Sequence, residues 1–552
     1  MKNIVFVLAG IALCVGADGL LGAADECAAA DGLATFRVDA CSPGQVLPNT
    51  QKMLTLWELG RNSFVKSRRN TEWDVLEFAE FVEIMGATGG SEGRDCLRNP
   101  SDRAVLDDYD FSRLVAGCRS IVGLGLKPYL KLGNVPSKYS ADRDQGDFNM
   151  NVRPPADYAA YGRYMTACAK ALLDAFGREE LLKWRFAVLT EFENAGWFKD
   201  TSGDPGKTFQ EYCRLYETTA EAFTRTISPY LAIGAHAMAV TEGLWDERLF
   251  IKYAAEHGLP LKFITASFYD ARPGQFTSGM DMPRTIDHLR DAAVAAGLTN
   301  LWYGVDEGRL LWGMPRKGPG PNDLGIRIVG DTWQAAYDAR IVKQLFDSGA
   351  DYFASWGYLS GPDIFFEGLP SVSFHVARES AKFGGMRRVP VASEGKPRDG
   401  AEIGAVAAVS ADGGTVRVMA YVFKNDLGAS GSVPLRLEIR PPSAWKGRIV
   451  RVVRKVVDDD SNWFDEWRKI RRERGIGDER FHWSPDDPAT LHVQCGLRDE
   501  KDREMFAKEI EPQLRCRARL KPVAENASAG PDGNISISLS LSVNTVVFFE
   551  LQ

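Results

Sequence analysis

An α/β chain built as a (β/α)8 TIM barrel followed by an all-β sandwich is predicted by three observations. Apolar strand-like stretches alternate with helix-like ones from Met53 to Lys382, two of those strands end in a glutamate, and the texture changes to short strands between turn residues after about Arg388. Residues 1–24 read as a signal segment, 25–387 as the barrel with an N-terminal extension, and 388–552 as the C-terminal β-sandwich. The small, polar residues 25–50 are read as supplying a strand to another domain.

The elements follow in order. The first barrel strand is expected at Met53–Leu59, with a helix at Glu72–Ala79, and the second at Phe81–Thr88, with a helix at Phe111–Leu124. The third strand is Leu126–Leu132 and its helix Ala156–Phe176; the fourth is Arg185–Phe192 with Phe209–Ile227. Strands at Leu231–Ala237, Leu261–Tyr269, Asn300–Glu307 and Asp351–Tyr358 complete the eight, with helices near Asp246–His257, Arg284–Ala296, Asp331–Ser348 and Val372–Lys382. These runs are apolar without alternation, as in parallel strands covered on both faces. Beyond Arg388 the expected strands are Val416–Phe423, Leu435–Ile439, Ile449–Val457, Thr490–Val493, Cys516–Leu520 and Ile535–Phe549, interrupted by a helix or loop at Asp458–Arg474.

Composition narrows the function classes. The chain has 552 residues, 45% hydrophobic and 26% charged, enough for two domains. A net charge of −7 with no basic stripe argues against nucleic acid as a partner. Lys2, the apolar run Ile4–Val15 and small residues through Ala24 form a secretory signal too short to span a membrane, so the expected location is secreted or periplasmic. Eight of the nine cysteines lie beyond the signal; Cys27–Cys41 and Cys495–Cys516 suit local bridges, and the others suit a buried apolar role. With no CxxC spacing and no nearby His pair, neither a metal nor a cofactor is expected.

The stretch Trp184–Trp197 carries the chemistry: an apolar strand delivers Glu191, and Glu193 follows it. Leu301–Arg309 has the same form and delivers Glu307. Charge at the end of a buried strand is costly unless paired or functional. Two such carboxylates suit glycoside hydrolysis, which needs one on each side of the scissile bond.

Trp184, Phe186, Val188, Glu191 and Trp197-Phe198 resemble the W-x-F-E-V-W-N-E-P-N-L…F-W segment of glycoside hydrolase family 39, a family of β-xylosidases and α-L-iduronidases. Tyr109-Asp110-Phe111 with Gly125-Leu126-Lys127-Pro128, Phe263–Tyr269, Asp351–Trp356 and Val457–Asn462 with Trp467 resemble further segments of that family. The resemblance implies a retaining (β/α)8 glycosidase acting on carbohydrate, with Glu191 as acid/base on strand four and Glu307 as nucleophile on strand seven. It also implies a contact from Tyr269 to the nucleophile and an aromatic, Trp356, under the sugar. Three positions depart from the pattern. Thr190 stands where an Asn usually binds the sugar 2-hydroxyl, Phe192 replaces Pro, and Ser267 replaces a usual His. These bear on the choice of sugar more than on the reaction, and they leave open a divergent group beside the family, another activity (β-glucosidase, β-galactosidase or arabinosidase), or a catalytically weak carbohydrate-binding protein on the same scaffold.

The proposed chemistry needs a protonated Glu191, its pKa raised by burial and a neighbouring carboxylate, and an ionised Glu307 helped by donors such as Tyr269. A retaining mechanism calls for carboxyl groups ~5–5.5 Å apart. Other candidates for sugar contacts are Thr190, Glu193, Arg94 in the loop after strand two, Asn134 after strand three, Trp197 and Trp356. Each has a structural reading beside the functional one: Arg94 as half of a loop salt bridge with Asp95, and the tryptophans as core. Glu193 shares the side of Glu191 if the strand persists, whereas alternation puts Asp306 on the opposite face from Glu307 in a structural role. His236 at the end of strand five reads as a satisfied buried histidine.

Overall fold

The computed structural model describes residues 33–56, 72–91, 93–146, 149–238, 243–272, 275–276, 281–310, 331–355, 365–395, 400–426, 428–477, 480, 497 and 499–552. Seven parallel strands curl into the barrel: Met53–Leu56, Phe81–Ile84, Lys127–Leu132, Arg185–Val188, Ala232–Ala237, Phe263–Arg272 and Trp302–Leu310. The eighth position is taken by the segment around Phe353, which bridges Val305 on strand seven, while its N–H reaches the Thr50 carbonyl at 3.0 Å just before strand one. That pair of contacts closes the ring. Lys52 seals the same seam with a 2.6 Å ion pair to Asp351. Closing a sheet into a barrel pairs the edge strands that an open sheet would leave free.

Five of the described barrel helices start where short polar side chains cap them. Asp157 accepts from the N–H groups of Ala159 and Ala160 ahead of Tyr158–Phe176. Asp204 caps Pro205–Thr226, Asp281 caps Met282–Ala295, Asp331 caps Thr332–Ser348 and Ser371 caps Val372–Ala381. Each cap satisfies a backbone donor that the first turn leaves without a partner. The helix expected at Glu72–Ala79 is only a 3-10 turn, Val75–Glu77, because Phe78 leaves helical geometry and turns the chain into strand two. The fourth strand, expected to run to Phe192, stops at Val188: Leu189 and Glu191 take left-handed φ values of 66° and 43°.

The C-terminal module is a sandwich of two sheets. The six-stranded sheet runs in the order Arg387–Val389, Glu402–Val409, Val416–Phe423, Thr545–Leu551, Ile449–Val457 and Val523–Ser528. The four-stranded sheet contains Val391–Glu394, Ala34–Asp39, Ser432–Arg440 and Ile535–Ser542. Ala34–Asp39 pairs parallel with Ser432–Arg440, so the chain enters through the sandwich before it builds the barrel. The single strand expected at Ile535–Phe549 is two, divided at Asn544, whose φ of 60° suits a tight reversal between sheets. Cys516–Leu520 is not a strand but a turn after the short helix Glu511–Leu514, held by His375 Nε2 on the Ala518 carbonyl at 2.7 Å. Thr490–Val493 lies outside the described residues.

The six-stranded sheet is covered on both faces. Ala405, Ala407, Val418, Ala420 and Phe549 face the sandwich core, whereas Val406, Ala408, Met419, Tyr421 and Phe548 join the core of the barrel. The two-residue period of a strand makes this division. Against the outer face lies helix Thr332–Ser348, with Trp333 and Tyr337 on Phe423 at ring distances of 5.5 and 6.2 Å. Among the described residues no helix is long and apolar enough to cross a membrane. Cys96, Cys118, Cys168 and Cys213 are buried thiols, while Cys27 and Cys495, one half of each expected bridge, lie outside the described residues.

Candidate active site

Glu191 and Glu307 meet at the C-terminal ends of barrel strands four and seven, where they are 6% and 5% exposed. The main chain around Glu191 is held from several sides. Leu189 N–H bonds the Leu132 carbonyl at 2.7 Å, and Phe192 N–H bonds the His236 carbonyl at 3.0 Å. A left-handed φ on a β-carbon-bearing residue is unfavourable, and such geometry persists only where the surroundings over-determine it. Phe192 pays part of that cost through packing, stacking on Tyr212 at 4.6 Å and Trp245 at 5.4 Å.

The Glu191 carboxyl receives two hydrogen bonds. Ser267 Oγ donates to Oε1 at 2.6 Å, and Asn194 Nδ2 donates to Oε2 at 2.7 Å. Glu307 Oε2 accepts from Tyr269 OH at 3.1 Å. Its Oε1 is buried without a hydrogen-bond partner among the described residues. Ser267 and Tyr269 share strand six, two residues apart, so one strand serves both carboxylates through the same face.

Burial, then the charges of Glu191 and Glu83, drive the Glu307 carboxyl well above the ordinary range, while Lys131 and the Tyr269 hydrogen bond oppose them. This differs from the division expected from sequence, which left Glu307 ionised. Two buried carboxylates in mutual range do not both ionise readily, and the titration of such a pair belongs to the pair rather than to either acid.

Beneath the pair, the barrel interior holds a buried charge cluster. Lys131 Nζ pairs with Glu83 at 3.1 Å and with Asp306, all three fully buried. Asp306 also accepts from Tyr129 OH and Thr265 Oγ1, both at 2.6 Å, and from Tyr352 OH. Asp306 was expected to face away from Glu307. Instead a bulge intervenes: Ala266 pairs with Val305 and Ser267 with Glu307, which leaves Asp306 as the extra residue and turns it into the barrel. Its contacts there are all to buried side chains of the barrel interior. Burial alone would raise Asp306, but Lys131, His236 and its hydrogen bonds bring it down to about 2. Burial pushes Glu83 up to about 8 against the pull of Lys131.

The other predicted residues divide into groups. Thr190 and Asn134 are buried at the same strand ends, and the Thr190 hydroxyl and both Asn134 amide atoms have no hydrogen-bond partner among the described residues. Such atoms are costly to bury and suit a polar ligand. Arg94, Trp197 and Asn134 gather on one rim around Met150. Arg94 Nη1 lies 3.2 Å from Met150 Sδ, Trp197 packs with Met85 and Met150, and Gly90 (φ 101°) brings its backbone against Met150 and Asn134. Glu193 is buried beside Gly243, and the Leu244 N–H donates to the Glu193 carbonyl at 2.7 Å; because the strand ends at Val188, alternation does not place it with Glu191. Trp356 lies outside the described residues. Sequence reasoning missed Asn194 and the Lys131–Glu83 pair, although a lysine and a glutamate within apolar strands K-P-Y-L-K-L and F-V-E-I are themselves a signal. Among the described residues no cluster of three metal-ligating side chains occurs.

Comparison with known proteins places this site in context. The chain is 25% identical over 279 residues to a β-xylosidase of Geobacillus stearothermophilus, a match covering 48% of this chain and 51% of that protein. The chain therefore spans about half the length of the curated relatives it matches. Among solved structures, a GH39 enzyme from Xanthomonas axonopodis pv. citri aligns over 94% of this chain and 97% of its own, with a TM-score of 0.65 at 16% identity. A monomeric β-xylosidase from Caulobacter crescentus CB15 aligns over 94% and 99%, with a TM-score of 0.61 at 16% identity, and at these identities both show the fold alone. The model of glycosyl hydrolases family 39 matches residues 96–394, more than half of the chain, and this protein belongs to that family.

Proposed function

We propose that the protein is an exported retaining glycoside hydrolase of β-xylosidase-like specificity, with Glu191 as acid/base and Glu307 as nucleophile. The observation that carries this reading is the pair itself: two buried glutamates from strand ends four and seven, close enough that the Glu191 charge raises the Glu307 carboxyl, each held by its own donors. Family membership and relatives named β-xylosidases support the substrate class.

This reading gives each carboxylate oxygen a role. Tyr269 holds Glu307 Oε2, leaving Oε1 to attack the anomeric carbon. Glu191 gives its proton to the glycosidic oxygen as the bond to the leaving group breaks and a glycosyl ester forms on Glu307. Glu191, now a carboxylate, removes a proton from water, which attacks the same carbon and releases Glu307. Thr190 and Asn134, with unsatisfied buried polar atoms, are placed to bind sugar hydroxyls. No cofactor enters these steps.

The test is turnover of a panel of aryl β-xylosides, glucosides, galactosides and arabinosides by the wild type, Glu191→Gln and Glu307→Gln. Hydrolysis by the wild type with retained anomeric configuration, lost by at least ~1,000-fold in both variants, is expected. Sugar binding without turnover in the wild type would make it a carbohydrate-binding protein instead. Export is tested by the N-terminus of the mature protein, which this reading puts after Ala17 or near Ala24.

A further inference from the structure

His236 approaches the acid/base from strand five, not from strand six where the family's usual histidine would stand. Ser267 occupies that strand-six position, and its Oγ lies 3.0 Å from His236 Nε2 and 2.6 Å from Glu191 Oε1. The same histidine accepts the Phe192 N–H on its carbonyl at 3.0 Å, so it contacts the main chain of the Glu191 turn directly and the carboxyl group through Ser267. The ring is fully buried.

Resting on the acid/base assignment above, we infer that His236 is a positioning residue: it directs a hydrogen-bond chain, His236 Nε2–H to Ser267 Oγ–H to Glu191 Oε1, that keeps Oε1 an acceptor and leaves Oε2 to carry the transferable proton. A serine hydroxyl has one hydrogen. If it donates to Glu191, the imidazole must donate to the serine, which fixes the tautomer with the hydrogen on Nε2. Among the described residues no group facing the ring hydrogen-bonds Nδ1. On strand seven Asp306 Oδ2 lies 3.9 Å from Nδ1. Lys131 on strand three presents a cation to the ring, and Thr265 on strand six is its register partner. Burial and then Lys131 hold the imidazole well below its ordinary range, so it stays neutral. No proton leaves the chain during the reaction; the serine and histidine only orient the carboxyl.

Two measurements test this. The first is kcat/KM, which reports bond cleavage, on two aryl glycosides of one sugar: a phenyl glycoside that needs acid assistance and a 2,4-dinitrophenyl glycoside that needs little. Ser267→Ala and His236→Leu are expected to lose roughly 10- to 100-fold on the phenyl glycoside and to change little on the activated one, with the alkaline limb of the pH profile displaced. His236→Gln, which keeps an N–H near the same place, is expected to restore most of the loss. Equal losses on both substrates, or no recovery with glutamine, would overturn the inference. The second needs no turnover: nitrogen NMR of histidine-labelled wild-type protein, with His236→Gln identifying the signal. A neutral ring protonated on Nε2 is expected between about pH 5 and about pH 8, and a ring protonated on Nδ1 alone would overturn the chain. If Glu191→Gln turned over at the wild-type rate, the acid/base assignment would fail while the NMR result still reported on the chain.

Discussion

At the scale of single residues, the site is a set of hydrogen bonds to two acids, and each bond has a measurable consequence. Tyr269 donates to Glu307 Oε2, and a hydrogen bond to a charged group contributes ~1.5–3 kcal/mol. Tyr269→Phe is therefore expected to lower kcat/KM by roughly 10- to 100-fold with Tm nearly unchanged, read from steady-state kinetics and a thermal melt. Lys131 compensates Asp306 in the sealed interior. Lys131→Met leaves that carboxylate without its cation, and the expected cost is ~3–5 kcal/mol in a denaturant titration.

Glu83 gives a pH signature. Its folded pKa is raised to about 8 from 4.5, so between those values the unfolded chain ionises this group while the folded protein keeps it neutral. The unfolded state then binds fewer protons, and stability falls as pH rises through that window. Glu83→Gln, which mimics the neutral acid, should abolish this part of the decline. The check is Tm against pH for both proteins: the gap between them should widen in favour of the variant from about pH 5 to about pH 8.

At the scale of elements, the fold was legible where periodicity and length speak and illegible where one residue changes the backbone. The seven described barrel strands start within two residues of their expected positions, because continuous apolar runs between turn residues have few other uses. The ends were missed for local reasons. Glu191 and Leu189 take left-handed geometry that only neighbouring strands enforce, and the bulge at Asp306 depends on its pairing with strand six. Neither is encoded in the local pattern. The Tyr269–Glu307 contact was expected from the family resemblance, but the His236–Ser267 partnership becomes visible only once strands five and six lie side by side.

Gly308, next to the nucleophile, shows how little tolerance the seventh strand has. A β-carbon there would lie 2.5 Å from the Phe268 carbonyl oxygen and 2.8 Å from the Phe353 ring. Gly308→Ala must therefore push strand seven away from strand six, and with it Glu307 from Tyr269. The expected result is a loss of ~100-fold in kcat/KM, as a misplacement of about 1 Å can produce, read with a crystal structure of the variant.

At the scale of the whole molecule, the sandwich is a structural partner of the barrel. Strand Ala34–Asp39 lies between Val391–Glu394 and Ser432–Arg440, so residues on both sides of the barrel in sequence complete one sheet. Its inward residues Ala34, Phe36 and Val38 are buried in the sandwich core. Phe36→Ala should cost ~3–5 kcal/mol and loosen the sandwich first, seen as faster amide exchange in Ser432–Arg440 than in the barrel strands. The contribution of residues 25–50 to another domain was readable from their small, polar composition beside an otherwise complete barrel. Its partner strand was not, because pairing across nearly the whole chain leaves no local trace.

The account rests on Glu307 attacking the sugar while Glu191 supplies the proton, and a 2-deoxy-2-fluoro glycoside with a good leaving group tests that directly by trapping the glycosyl ester. With the glycone the enzyme prefers, peptide mass spectrometry should place the label on Glu307, and Glu307→Gln should take up none. A label on any other carboxylate, or labelling that persists in Glu307→Gln, would contradict it.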